Sequence, residues 1–172
     1  MFGVIGRATA KNALAVGAGL AAIGFGVAVL APVQAVAQDN HEITVSITKF
    51  KALDKADELS NGDFFAKVTI DGKSQTTAQI SDKAEVHPDW KITQAVPAGV
   101  HKVKLELIDK DVSVDDPIDI NRLDRKRDLD FAVDTRTGKI EGFTKTYKSG
   151  DTITRTGAEK KKAEISFVVT VK

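Results

Sequence analysis

Carboxylates crowd two short stretches of this sequence, and they are the side chains best placed to do chemistry. Residues 53–63 hold Asp54, Asp57, Glu58 and Asp63, and residues 109–119 hold Asp109, Asp111, Asp115, Asp116 and Asp119. Like charges at such spacing repel unless solvent or a cation screens them. Calcium takes six to eight oxygens, at roughly 2.3–2.6 Å, from carboxylates, backbone carbonyls and water. Two such stretches side by side meet that demand; one alone falls short. Thiol-ligated metals have no ligands here, because cysteine is absent, and His41, His87 and His101 are not paired at ligand spacing. Asp109 opens a D-x-D run, but the loop lacks the sixth-position glycine and twelfth-position glutamate of an EF-hand. A plainer alternative stands beside calcium: Asp and Asn favour turns for local reasons, so both stretches also read as solvated loops.

Other chemistry has less support. There is no G-x-S-x-G elbow, no phosphate-cradling glycine loop and no H-E-x-x-H, so the chain reads as non-enzymatic. A glycosidase-like pair of loop carboxylates, as in an envelope hydrolase, is the remaining enzymatic alternative, although nothing marks one carboxyl as buried with a raised pKa. Basic residues cluster at Arg122, Arg125, Lys126 and Arg127 and again at Lys160, Lys161 and Lys162. Arg125, Lys126 and Arg127 are candidate contacts for an anionic lipid or envelope surface, at about 1 kcal/mol each. The alternative is a solvated loop.

The elements that must hold these loops are strands. Residues 41–51 alternate, with Ile43, Val45, Ile47 and Lys49 on one face. Further strands are predicted at 64–70, 73–80, 90–96, 100–108, 129–133, 139–143 and 163–171. Asp71-Gly72 is a hairpin signal, and 134–138 suits a tight reversal. With no convincing helical periodicity in this region, the fold class is all-β: a single eight-stranded antiparallel β-sandwich.

Ahead of the strands, Arg7 and Lys11 precede an apolar run at 13–31, then Pro32 and the small-x-small pattern Ala35-Val36-Ala37. That is the pattern of a secretory signal peptide. The expected division is a signal at 1–37 and a domain at 38–172, exported to the periplasm or secreted. A retained anchor is the alternative, since the run is just long enough to span a bilayer. Without Arg7 and Lys11 the domain carries 23 basic and 24 acidic residues, a balance that argues against a nucleic-acid partner.

The order of these pieces resembles the C2 domain, an eight-stranded β-sandwich known for calcium-dependent membrane binding. Asp57 and Asp63 lie six residues apart, as in that family's first binding loop, and Asp63-Phe64-Phe65-Ala66-Lys67-Val68 is similar to its D-P-Y/F strand start. His87-Pro88-Asp89-Trp90 loosely matches an N-P-x-W segment that would seat Trp90 in the core. Leu107-Ile108-Asp109-Lys110-Asp111, then Asp116-Pro117-Ile118, follows the third-loop plan, one residue short and with Asp119 in place of a glycine. The resemblance implies calcium ligation by Asp57, Asp63, Asp109, Asp111 and Asp116. Asp115 and Asp119 are additional metal candidates, and Asp54 and Glu58 weaker ones. It also implies loop-tip contact with membrane by Leu59, Val112 and Val114, which equally suit inward packing.

Overall fold

The computed structural model describes residues 40–53, 63–81, 83–110 and 114–172. The expected signal lies outside the described residues, as do Asp54, Asp57, Glu58, Leu59, Asp111 and Val112. Among the described residues twelve strands follow one another: β1 (Asn40–Ala52), β2 (Phe64–Ile70), β3 (Lys73–Thr76), β4 (Glu85–Val86), β5 (Trp90–Pro97), β6 (Val100–Asp109), β7 (Asp116–Ile118), β8 (Leu129–Asp134), β9 (Lys139–Glu141), β10 (Tyr147–Lys148), β11 (Thr152–Thr156) and β12 (Ala163–Val171). No helix occurs among the described residues. All eight expected strands are present. The additions are β4, β7 and β10, of two or three residues, and β11, in which only Ile153 is fully buried.

The strands form two antiparallel sheets. One runs β11-β12-β1, with β5 and β4 sharing the far edge of β1; the other runs β10-β9-β8-β6-β2-β3, with β7 beside the end of β6. Alternation along each strand turns one set of side chains into the space between the sheets. Ile43, Val45 and Ile47 of β1 thus join Val68, Leu105, Leu107, Val133, Ile165 and Phe167 in one core. Each such side chain contributes about 1.5–3 kcal/mol when fully buried.

Strict alternation fails once in β1, and the failure is useful. The register against β12 shifts between Ile47 and Lys49, a bulge that inserts one extra residue. Lys49 therefore leaves the inner face assigned to it from sequence, and Phe50 enters the core in its place. The Phe50 ring stacks on Trp90 at 5.7 Å and meets Phe64 edge-on at 4.9 Å. Trp90 is buried, as the His87-Pro88-Asp89-Trp90 segment implied.

The Asp71-Gly72 hairpin has the expected form. Asp71 and Gly72 adopt φ of 47° and 82°, the left-handed pair that a two-residue hairpin turn needs. Asp71 also braces the start of β6: its Oδ1 accepts the Lys102 N–H at 3.0 Å and its Oδ2 lies 2.6 Å from His101 Nδ1, while His101 Nε2 lies 2.8 Å from the Pro97 carbonyl. Partial burial pushes the Asp71 carboxyl up, but the His101 and Lys102 hydrogen bonds and their positive charge more than offset it. The net position is below the ordinary 3.8. A carboxyl depressed on folding adds stability that is complete above its unfolded value and lost as pH falls through the folded one. Asp71→Asn keeps the turn and removes this charge. Urea melts should therefore show the variant less stable at neutral pH, with the difference shrinking below about pH 4.

Candidate functional site

Pairing of three adjacent strands sets the acidic end. Phe64, which opens β2, pairs with Asp109 at the end of β6, and Asp109 pairs with Asp116 at the start of β7. Neighbouring strands lie about 4.8 Å apart, so Asp63, Asp109 and Asp116 stand in a row across one end of the sheet. Asp109 is buried, and its Oδ1 accepts the Asp63 N–H at 2.7 Å. The Lys110 N–H returns a bond to the Asp63 carbonyl at 2.8 Å. Asp63 Oδ2 accepts from Gln79 Nε2 at 2.7 Å. The two acidic stretches thus meet at the same end, with Asp57 and Asp111 outside the described residues.

Ammonium groups already neutralise part of this row. Lys161 Nζ lies 2.6 Å from Asp116 Oδ2, and Lys110 Nζ lies 3.4 Å from Asp115 Oδ1. Among the described residues no three carboxylates or imidazoles gather closely enough to ligate one ion. Lys161 was not foreseeable, since it stands 45 positions from Asp116 inside a basic run that reads as a solvated strand start. Gln79 was not foreseeable either, because nothing local marks it.

Asp119, expected among the additional metal donors, has a different task. It is fully buried. Its Oδ1 accepts the Asn121 N–H at 2.9 Å, and its Oδ2 accepts the Ala158 and Glu159 N–H groups at 2.8 and 2.6 Å. Its own N–H donates to the Lys161 carbonyl, and its carbonyl accepts from Ala163, both at 2.8 Å. These bonds join the sheet that ends in β7 to the first residue of β12 and fix the backbone beneath Lys161, which sits at φ 57°. Gly157 makes the approach possible, since a Cβ there would collide with the Asp119 carbonyl. Both oxygens of the carboxylate are therefore engaged by backbone amides.

The three basic residues expected to meet an anionic surface differ from one another. Arg127 Nη1 donates to the Pro117 carbonyl at 2.7 Å, and Lys126 pairs with Asp130 at 2.6 Å. Arg125 is exposed, and its backbone N–H donates to Glu159 at 2.5 Å. Val114 is 72% exposed at the same end as the acidic row.

No family model matches the chain, and no curated protein matches it in sequence. Solved structures do match. An isolated C2 domain superposes with a TM-score of 0.52 and 13% identity, covering 77% of this chain and 98% of that one. The fold is C2-like. The two consecutive C2 domains of extended synaptotagmin 2 match at a TM-score of 0.53 and 12% identity, over 96% of this chain and 48% of that one. Their calcium-bound form matches at 0.50 and 11%, over 76% and 45%. In the C2-like domain, then, β2, β6 and β7 carry the acidic row.

Two substitutions test the Asp119 clamp. Asp119→Asn turns an NH₂ toward amide donors, and leaving such buried groups unmatched costs about 1–3 kcal/mol apiece. Gly157→Ala forces the two segments apart. Both variants should unfold at lower urea concentration than the parent in the absence of calcium.

Proposed function

We propose that this C2-like domain is an exported, non-enzymatic module that binds calcium at its acidic end and presents that end to an anionic lipid, an envelope component or a protein. The row of Asp63, Asp109 and Asp116 across β2, β6 and β7 carries the reading. Asp57 and Asp111 complete the donor set from outside the described residues, and Asp115 stands at its margin. The donors fit calcium in kind, being hard carboxylate oxygens. Lys110 and Lys161 support the reading from the other side: these carboxylates already draw positive charge, and a divalent ion supplies two charges where an ammonium supplies one. A protein of the same fold, extended synaptotagmin 2, has been solved with calcium bound.

Lys161 must leave Asp116 when the ion enters, and that competition sets a modest affinity. Extracellular modules bind calcium in the 10⁻⁴–10⁻³ M range, which makes export and a modest site consistent with each other. A bound ion would neutralise the acidic end. Val114 then offers apolar contact and Arg125 a positive charge to the partner surface.

The Lys161–Asp116 pair, at 2.6 Å, favours a second reading: a structural or adhesive sandwich whose acidic end is closed by its own lysines. Thermal melts with and without about 2 mM calcium, at matched ionic strength, separate the two, because a ligand of the folded state raises its stability. Calcium binding predicts a rise of several degrees, lost in the double variant Asp109→Asn, Asp111→Asn and enlarged in Lys161→Gln. No rise in the parent and none in Lys161→Gln would establish the metal-free reading.

A further inference from the structure

A second site lies on the flank of the sandwich and shares no residue with the acidic row. The connection between β7 and β8, the connection between β9 and β10, and edge strand β11 enclose a cleft of about 320 Å³. Phe143 and Leu129 give it apolar surface. Arg122, Lys126 and Arg155 line it against a single carboxylate, Asp130, which pairs with Lys126 at 2.6 Å. Three positive charges against one negative leave a balance of +2.

Arg155 is the residue that most needs a ligand. Alternation along β11 puts it on the same face as buried Ile153, toward the core, opposite Ile165 of β12. Its guanidinium lies over the Phe143 ring, 4.5 Å from the centroid. Among the described residues it makes no ion pair or hydrogen bond. A half-buried guanidinium with five donors beside an aromatic face is an arrangement that an anion completes. Arg122, which also lines the cleft, adds a second fork.

We infer that this cleft binds a phosphomonoester, with Arg155 and Arg122 holding its oxygens and Phe143 and Leu129 packing against the alcohol it esterifies. The charge matches, since a phosphomonoester carries about −1.5 to −2 at pH 7. The geometry matches too, because planar guanidinium forks bond phosphate oxygens in pairs. The volume, at the small end of the ligand-pocket range, suits a phosphate on a body the size of glycerol. Leu123, 64% exposed at the rim, allows the ester to be either a soluble metabolite or a phosphatidate headgroup. An inward charge on an edge strand also hinders strand addition, but that role alone predicts no response to phosphate.

The full chain should be melted, and its amide resonances followed, during titration with inorganic phosphate against sodium chloride of equal ionic strength. In a second arm, vesicles of phosphatidylcholine with phosphatidic acid are compared with vesicles carrying phosphatidylserine at equal surface charge. Phosphate should raise the melting temperature and shift the amides of Arg122, Phe143 and Arg155. Arg155→Gln and Arg122→Gln should each weaken binding about tenfold, the equivalent of one charge-assisted hydrogen bond. Arginine-dependent preference for phosphatidate vesicles identifies the lipid headgroup; a response to soluble phosphate alone identifies a soluble ester; either upholds the site. No response beyond the salt control in both arms, or one that both variants retain, overturns it. Should Arg155→Gln fail to fold, Arg122→Gln, on an exposed loop, carries the test.

Discussion

The acidic end depends on one buried carboxylate. Asp119 accepts three backbone N–H groups and, through its own N–H and carbonyl, ties the exit of β7 to the turn before β12. A buried charge is costly unless its hydrogen bonds are made, so this carboxylate holds only one arrangement of the 157–162 segment. That arrangement determines where Lys161 stands and hence what faces Asp116. The same clamp connects the two sheets at the end where the acidic loops emerge. Gly157, across from it, supplies the space that a side chain would fill.

Much of this was legible in the sequence, for identifiable reasons. Period-two alternation marked every long strand, because each buries one face and exposes the other. The Asp71-Gly72 turn was legible because only a few residue types tolerate its left-handed backbone. The bulge at Thr48 was not, since a single inserted residue leaves no signature beyond a break in alternation, and the break was masked by Lys49. β11 escaped for a related reason: Thr152-Ile153-Thr154-Arg155-Thr156 puts a single apolar side chain inward, with an arginine where a second is expected. Long-range partners were the largest omission. Asp119 reads as one more loop aspartate until Ala158 and Glu159 arrive beside it, and Lys161 reads as solvated until it reaches Asp116.

Charge placement distinguishes the two proposed sites. At the acidic end, carboxylates outnumber the lysines described beside them, and a cation is the complement. On the flank, Arg122 and Arg155 exceed what Asp130 neutralises, and the complement is an anion. A nearly neutral total of 25 basic and 24 acidic residues thus conceals two local imbalances of opposite sign. A C2-like fold accommodates both, because its loops emerge at the ends while its sheet edges leave an opening on the side.

The central claim is that calcium and Lys161 compete for Asp116. A crystal structure of the domain grown with millimolar calcium tests it most directly. The account predicts an ion between the two acidic loops with Asp116 among its ligands, and Lys161 Nζ displaced from its 2.6 Å contact. Lys161 still seated on Asp116, with no ion density between the acidic loops at saturating calcium, would contradict it.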